Sequence, residues 1–289
     1  MTEETTVSTD YGTLYLAATP IGNLEDMTYR AVRLLSEVDL IAAEDTRHTR
    51  HLLTHFDIHT KLTSYHEHNK LEKGPELIAY MKEGHDLICV SDAGLPGICD
   101  PGSHLAKLAI DAGIRVTPLP GCNAALSALI CSGLDTTLFT FAGFLPRTAK
   151  KRDELLAKLR THEETLIFYE APHRLKGTLK ELLAVLGDRK AVACRELTKK
   201  FEEFRRSTLQ SLLDYYTENE PRGEFVLVIA GFDASADTDT EEIPADPAAY
   251  CRMLEESGMP RKEAMRETAK KLGISRRDVY QAVLKAEEE

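Results

Sequence analysis

The segment SDAGLPGICDPG, residues 91–102, carries the residues with the clearest chemical potential in the chain. It follows an apolar, strand-like run and contains three glycines, two prolines and two aspartates in twelve residues. Such a loop exposes backbone amides to a ligand, and the carboxylates of Asp92 and Asp100 can hold a ribose or an amine. We therefore predict a ligand-binding loop. The alternative is a structural loop in which the two aspartates only cap turns.

Two further turn motifs follow predicted strands. ATPIGN, residues 18–23, comes after the first strand, and PLPGCNAALSAL, residues 118–129, joins a strand to a helix of small residues. The carboxyl ends of parallel strands meet at one edge of a sheet, and the amides at the start of a helix attract anionic groups. We expect both motifs to face the same crevice as the 91–102 loop. The alternatives are a purely structural turn and small residues chosen for tight helix packing.

Charged residues also follow the predicted strands of the second half of the chain, in GFLPR, FYEAPHRL and CRELTKKFEE. Placed after strands, they are candidates for a single charged rim, although simple surface ion pairs would give the same pattern. The residues concerned are Arg147, Glu170, His173, Arg174, Arg195, Glu196 and Lys199.

The segment AEDTRHTRHLLTHF, residues 43–56, places His48, His51 and His55 at helical spacing, with Glu44 and Asp45 nearby. A zinc site needs converging ligands with supporting partners, and the segment does not match the HExxH motif. We therefore predict no metal. A helix that presents its arginines and histidines to a polyanion, or a plain solvated face, explains the pattern equally well.

The composition is that of a folded protein with a moderate acidic excess. The 289 residues are 43% hydrophobic and carry a formal net charge of -11, which argues against indiscriminate coating of nucleic acid. No apolar run approaches the roughly 18 residues of a membrane helix, and the start MTEETTVSTDYG does not resemble a signal peptide. The six cysteines show no CxxC spacing. We expect a soluble, cytoplasmic protein.

The elements that must position these residues alternate along the chain. Short apolar runs separated by amphipathic segments predict an α/β fold with parallel strands covered by helices, and a second α/β domain with a mixed sheet after Leu134. We predict a disordered N-terminus (1–11), two α/β domains (12–134 and 135–232), an acidic linker (233–246) and a helical unit (247–289).

The helical unit contains AKKLGISRRDVYQAVL, residues 269–284, in which a glycine turn joins two helices. Ser275 is placed to cap the second helix, which begins with Arg276 and Arg277. This is the arrangement of a helix-turn-helix, whose second helix meets nucleic acid. The alternative is a small helical cap or a dimerisation element.

Taken in order, these motifs resemble those of the small-subunit ribosomal RNA methyltransferase I family, within the tetrapyrrole methylase superfamily. The resemblance covers roughly residues 12–231 and extends to the helical unit. The motifs are GTLYLAATPIGNLEDMTYRA, AEDTRHTRHLL, SDAGLPGICDPG, PLPGCNAALSAL, FAGFLPR, FYEAPHRL, RELTKKFEE and GEFVLVIAG.

The resemblance implies a class III methyltransferase fold, in which two α/β domains hold S-adenosylmethionine in the cleft between them, commonly as a homodimer. This sequence has SDAG where corrin and porphyrin methylases usually show Gly-Gly-Asp-Pro, which agrees with the RNA branch. The positions that the resemblance assigns to the cofactor are Pro20, Ser91, Asp92, Ala93, Gly94, Cys122, Asn123, Ala124 and Tyr169.

The implied reaction is 2'-O-methylation of a cytidine ribose in the decoding region of 16S ribosomal RNA, with naked RNA or the 30S subunit as substrate. The ribose hydroxyl must lose a poorly acidic proton, and Asp45, Glu170 and His173 all remain candidates for the base. Lys199 or Arg174 could lower the hydroxyl's pKa or hold a phosphate. The residues expected to contact RNA are Arg47, Arg147, Arg174, Arg276 and Arg277.

Two other functions remain open on the sequence alone. A tetrapyrrole or other small-molecule methylase would share the cofactor cleft but would have no use for a basic helix pair. A non-catalytic RNA-binding factor of ribosome assembly would have lost cofactor binding, against which the SDAGLPG and PLPG loops argue.

Overall fold

The apolar runs of the first half of the chain form one fully parallel sheet in the computed structural model, which describes residues 10–233, 244 and 246–288. Its strands are β1 (Thr13–Ala17), β2 (Leu40–Ala43), β3 (Leu62–Ser64), β4 (Leu87–Val90) and β5 (Arg115–Leu119). They lie in the order β3-β2-β4-β1-β5. The parallel sheet predicted from the sequence is confirmed, and the short strand β3 is an element that the sequence did not reveal.

Four helices cover this sheet on both faces. They are α1 (Tyr29–Glu37), α2 (Thr46–His55), α3 (Lys70–Lys82) and α4 (Gly102–Asp111), and a short 3-10 turn (Leu24–Asp26) precedes α1. Alternate residues of β4 point to opposite faces: Ile88 packs with α1 and α2, whereas Leu87 and Cys89 pack with α3 and α4. This two-residue alternation explains why the strands are apolar throughout.

The second half of the chain forms a mixed sheet, as predicted. Its strands are β6 (Phe139–Phe144), β7 (Thr165–Glu170), β8 (Lys190–Arg195), β9 (Glu203–Thr208) and β10 (Phe225–Ile229). They lie in the order β6-β7-β10-β8-β9, with only the β6–β7 pair parallel. Strand β9 was not predicted, because its sequence EFRRST is polar and charged, as suits the edge of a sheet.

The helices α6 (Ala149–Leu159), α7 (Pro172–Leu186) and α8 (Leu209–Glu218) pack on one face of the second sheet. Its other face is covered by α5 (Ala124–Ser132), whose Ala125, Ala128 and Leu129 contact Ile167, Val192 and Val226. The chain therefore begins to pack on the second sheet at α5. This point lies before Leu134, where the sequence predicted the domain boundary. Both sheets belong to one compact unit, residues 1–232.

Residues 233–289 form a second compact unit. It contains α9 (Pro247–Glu256), α10 (Arg261–Leu272) and α11 (Arg276–Glu288), the three helices that the sequence predicts. Gly273 ends α10 with a left-handed conformation, and Ser275 and Asp278 cap α11 reciprocally. The predicted disordered N-terminus up to residue 9 and the predicted linker at 234–243 and 245 lie outside the described residues.

Among residues 10–233 and 246–288, no helix combines the length and the apolar character that would let it cross a membrane.

Candidate active site

A cleft opens at the carboxyl edge of the first sheet, where the loops after β2 and β4 face the start of α5 and one wall of the second sheet. It encloses a cavity of about 490 Å³, enough for a ligand of nucleotide size. This is the edge at which open α/β sheets bind ligands. The first sheet's loops and α5 contribute Ile21, Glu44, Ser91, Asp92, Ala93, Gly94, Leu95, Ile98, Cys99, Asp100, Asn123 and Ala124. The second sheet contributes Phe144, Tyr169, Glu170, Ala171, Pro172, Cys194, Leu197, Glu224, Phe225 and Val226.

The 91–102 loop is held in place by its own polar groups. Gly94 and Thr19 exchange two backbone hydrogen bonds of 3.0 Å, which tie this loop to the turn after β1. The backbone amides of Gly97 and Gly102 donate to one oxygen of Asp100 at 2.8 and 2.7 Å. Asp100 therefore shapes the loop as the structural alternative expected, and the same loop also lines the cavity.

Asp92 links two of the loops that line the cavity. The backbone amide of Asp45, after β2, donates to Oδ1 of Asp92 at 3.0 Å. In the part of the chain that the structure describes, no protein group hydrogen bonds to Oδ2 of Asp92, which leaves that oxygen for a ligand in the cavity. Asp92 therefore lies where a ligand in the cavity can reach it.

The start of α5 forms one end of the cleft. The side chain of Asn123 accepts a hydrogen bond of 2.9 Å from the backbone amide of Leu126, which caps the helix, and Asn123 and Ala124 line the cavity. Cys122 faces away, since its thiol donates to the carbonyl of Asp26 at 3.5 Å. Cys122 and Pro20 thus lie beside the cavity wall rather than in it, although both were predicted to contact the cofactor.

The second sheet supplies an apolar and aromatic wall. The ring of Tyr169, on β7, packs edge-on against Phe141 and Phe144 at centroid distances of 5.0 and 5.6 Å. Burial raises the pKa of the Tyr169 hydroxyl. Sequence analysis singled out Tyr169 but missed Leu197 and Val226. The alternation of β10 was the signal that could have identified Val226, because every second residue of a strand faces the same side.

In FYEAPHRL, Glu170 at the end of β7 and Arg174 on α7 lie close to each other. The Glu170 side chain has no exposed surface, and its carboxylate accepts hydrogen bonds from the Ala171 amide and the Thr178 hydroxyl. Arg174 lies 3.5 Å from the same carboxylate and donates to the carbonyl of Leu145 at 2.8 Å. These partners indicate a structural role for both residues, in place of the predicted base and RNA contact.

Lys199 occupies a strained turn between β8 and β9, in which Glu196 and Thr198 have φ values of 51° and 66°. Its ammonium donates to Glu196 and Glu224, both at 2.9 Å. Burial lowers the pKa of Lys199, but the two carboxylates outweigh burial and the net shift is upward. The aliphatic stem of Lys199 covers Gly22 of the turn after β1. Lys199 therefore ties the second sheet to that turn as a permanent cation.

The remaining predicted site residues lie outside the cavity wall. The Asp45 carboxylate caps α2 and pairs with the guanidinium of Arg47 at 2.7 Å, which holds the pKa of Asp45 well below its usual range. Such a carboxylate is a weak base. His173 and Arg147 are exposed, on α7 and after β6, and neither lines the cavity.

Glu44 lines the cavity and was considered in the sequence only as a metal ligand. It comes directly after β2, where a charged residue at the carboxyl end of a buried strand was the available signal. Within residues 10–233, 244 and 246–288, no three histidine, cysteine, aspartate or glutamate side chains are arranged to hold a metal ion.

The sequence of the chain is similar to one protein family over most of its length. Residues 13–213 match the family described as Tetrapyrrole (Corrin/Porphyrin) Methylases. A relative from Halalkalibacterium halodurans, named ribosomal RNA small subunit methyltransferase I, is 50% identical and 94% of each chain is covered. Relatives of the same name from Bacillus subtilis and Synechocystis sp. are 47% and 49% identical, covering 94% and 96% of this chain and 94% and 99% of their own.

The fold is similar to that of solved structures. Diphthine synthase has a TM-score of 0.59 at 14% identity, covering 76% of this chain and 89% of its own. Uroporphyrin-III C-methyl transferase from Thermus thermophilus, complexed with S-adenyl homocysteine, has a TM-score of 0.54 at 19% identity, covering 76% and 97%. At these identities the likeness establishes the fold, which is the class III methyltransferase fold expected from the sequence.

Proposed function

The chain belongs to the ribosomal RNA small subunit methyltransferase I family, and from this membership we propose that it methylates the 2'-oxygen of cytidine 1402 in 16S ribosomal RNA. Membership makes the chain an S-adenosylmethionine-dependent ribosomal RNA methyltransferase. The nucleotide and the oxygen atom are our proposal. The observation that carries it is the cleft, which has acidic groups along one side and an apolar, aromatic wall along the other.

The residues of the cavity fit S-adenosylmethionine. When bound, this cofactor supplies an electrophilic methyl group on a cationic sulfonium. The carboxylate of Asp92 suits hydroxyl or ammonium groups, the amides at the start of α5 suit a carboxylate, and the wall around Tyr169 suits a flat adenine. The residues proposed to hold the cofactor are Ser91, Asp92, Ala93, Gly94, Asn123, Ala124 and Tyr169.

The mouth of the cleft fits an unstacked nucleotide. Ile98 and Phe144 line the cavity and yet expose 40% and 49% of their surface. Exposed apolar side chains at a cleft mouth suit a nucleobase that has left its stack, because every base presents an apolar face. A ribose that enters between these residues would place its hydroxyl beside the acidic side of the cleft.

The proposal is tested by methyl transfer from radiolabelled S-adenosylmethionine to 30S subunits that lack their native methyl groups, with naked 16S ribosomal RNA in parallel. We expect label on the 2'-oxygen of cytidine 1402, which protects the adjacent phosphodiester from alkaline cleavage. Label on a base, or at another nucleotide, would contradict the proposed position. The ratio of the two rates identifies the preferred substrate.

We also propose that α11 contacts the RNA. Arg276 and Arg277 are exposed in its first turn, and Tyr280 exposes 51% of its surface one turn later. Two guanidiniums beside an exposed ring suit phosphates and an unpaired base. Arg147, exposed after β6 and followed by the exposed Lys150 and Lys151, is a second candidate for phosphate contact.

Replacing Arg276 and Arg277 together with alanine is expected to weaken binding to 30S subunits by about 10-fold or more at physiological salt. The dependence of log K on log salt should also become less steep, by about 0.7 to 0.9 for each phosphate that the variant no longer neutralises. Filter binding across a salt series measures both quantities, and calorimetry should show unchanged cofactor affinity. The double variant Lys158→Ala/Lys180→Ala removes the same charge from exposed positions on α6 and α7. Equal losses of affinity for 30S subunits in the two double variants would overturn a specific role for α11.

We further propose that the chain forms a homodimer through the outer face of α5. Leu126 and Ile130 lie one turn apart on this helix and expose 45% and 73% of their surface. Leu138 and Phe139, which follow in the chain, are 64% and 42% exposed. Exposed apolar residues at this density mark an interaction site.

The variant Ile130→Glu is expected to raise the dimer dissociation constant at least about 100-fold, because dimerisation would bury the new charge without a partner. Sedimentation equilibrium measures the constant directly. Ile110→Glu is the matched control, since Ile110 is a comparably exposed isoleucine on α4 (54%). A wild-type protein that is monomeric at all concentrations, or an Ile130→Glu variant that remains dimeric, would refute this interface.

A further inference from the structure

Glu44 occupies a position in the cleft that suits proton transfer. It follows β2 at the carboxyl edge of the first sheet and lines the cavity beside the loop of Asp92 and Asp100. It is half-buried, so its carboxylate is sheltered from solvent and still reachable from the cavity. Ile98, which we place at the nucleotide entrance, lines the same cavity.

The surroundings of Glu44 strengthen it as a base. Burial raises its pKa above the ordinary value of 4.5, and the carboxylates of Asp92 and Asp100 raise it further. The backbone amide of Asp92 and the imidazole of His66, which follows β3, oppose this shift without cancelling it. Asp45, the next residue after Glu44, is already paired with Arg47. A carboxylate with a raised pKa is a stronger proton acceptor.

The other residues that the sequence suggested for proton transfer either have partners or lie outside the cavity. Asp45 is paired with Arg47, the carboxylate of Glu170 is fully buried, and Lys199 is a cation between two carboxylates. His173 does not line the cavity. The Asp92 backbone amide is a hydrogen-bond partner of the Glu44 carboxylate, and a carboxylate has two oxygens with room for a substrate hydroxyl as well.

We propose that Glu44 is the general base for the ribose hydroxyl, an inference that rests on the proposed function. In the reaction, the 2'-oxygen forms a bond to the methyl carbon as the carbon–sulfur bond breaks and its electron pair stays on sulfur. The hydroxyl proton goes to a carboxylate oxygen of Glu44 and is later released to solvent. Charge is conserved, because the cationic sulfonium becomes a neutral thioether while the proton neutralises the carboxylate.

The test is Glu44→Gln, which keeps the size of the side chain and removes its basicity. We expect kcat for methyl transfer to 30S subunits to fall by about 100-fold or more, with the dissociation constants for cofactor and 30S subunits within about threefold of wild type. In wild type, kcat should rise with pH as Glu44 ionises, above the 4.5 of an ordinary glutamate. This acidic limb should disappear in Glu44→Gln.

A measurement without turnover gives a second readout. In protein labelled with 13C at the glutamate carboxyl carbons, the resonance absent from Glu44→Gln should titrate above pH 4.5 in wild type. The control Glu37→Gln alters an exposed glutamate on α1 and should behave as wild type. If the Glu44→Gln variant is active and its kcat still rises with pH as in wild type, the role of Glu44 is overturned while the proposed function stands. A wild type that labels a different atom of the RNA would instead overturn the proposed function.

Discussion

Asp92→Ala is expected to weaken S-adenosylmethionine binding on the order of 1,000-fold, the largest effect on ligand affinity that we predict. The carboxylate has two expected roles: one oxygen accepts the Asp45 amide, and the other is available to a ligand in the cavity that Asp92 lines. The variant therefore removes a charge-assisted hydrogen bond to the ligand and leaves a backbone amide without its acceptor. The lost hydrogen bond is worth roughly 2 kcal/mol, and ordering the loop that the Asp45 amide no longer anchors in the free protein costs a further ~2 kcal/mol on binding. Together they correspond to about three decades in affinity. Isothermal titration calorimetry measures the constant.

Asp92→Asn separates the two roles, because its amide oxygen can still accept the Asp45 amide while the negative charge is absent. We expect an intermediate reduction in affinity, on the order of 10- to 100-fold. Asp111→Ala removes an exposed carboxylate on α4 that pairs with Lys107, and this variant should bind the cofactor normally. Normal affinity of Asp92→Ala would place the cofactor elsewhere in the molecule.

Glu170→Ala is expected to destabilise the chain by about 3 kcal/mol or more, the largest stability effect that we predict. The variant removes a carboxylate without exposed surface and leaves the Ala171 amide, the Thr178 hydroxyl and part of the Arg174 guanidinium without their acceptor. Breaking a buried ion pair from one side typically costs this much. For a unit of this size the melting temperature should fall by roughly 6 to 12 °C, which differential scanning calorimetry measures.

Glu170→Gln keeps the side-chain volume and one acceptor oxygen, so a smaller loss of stability is expected. Below its melting temperature this variant should retain kcat within about threefold, because the Glu170 side chain has no exposed surface and its carboxylate accepts from Thr178 on α7. The exposed pair Arg33–Glu37 provides a control, and Glu37→Ala should change the melting temperature very little. A stable Glu170→Gln variant with a large loss of kcat would return Glu170 to the candidates for the base.

The sequence predicted the fold and several of the loop residues that line the cleft, because both depend on local patterns. Apolar runs alternating with amphipathic segments specify parallel strands covered by helices, and SDAGLPG and PLPG mark turns at strand ends. Ser91, Asp92, Ala93 and Gly94 accordingly line the cavity, as do Asn123, Ala124 and Tyr169. The strands that the sequence did not reveal are β3, which has three residues, and β9, whose charged side chains disguise an edge strand.

The charged residues were harder to interpret, because residue type does not reveal which partner a side chain meets. Glu170, Lys199 and Asp45 all follow strands and all looked like catalytic candidates. In the structure, the Glu170 carboxylate accepts from Thr178 and the Asp45 carboxylate pairs with Arg47. The Lys199 ammonium donates to Glu196 and Glu224. Glu44, which precedes Asp45, was overlooked as a base for the same reason.

Turn chemistry, periodicity and motif order are properties of neighbouring residues. They were enough to predict the class of fold, the family and several loop residues that line the cleft. Three further facts emerge only from the folded chain: α5 covers the second sheet, Val226 and Leu197 line the cleft, and Glu44 lines it as well. These facts depend on residues far apart in the chain. Burial, hydrogen bonding and charge pairing between such residues set the chemistry of a side chain, and they exist only once the chain has folded.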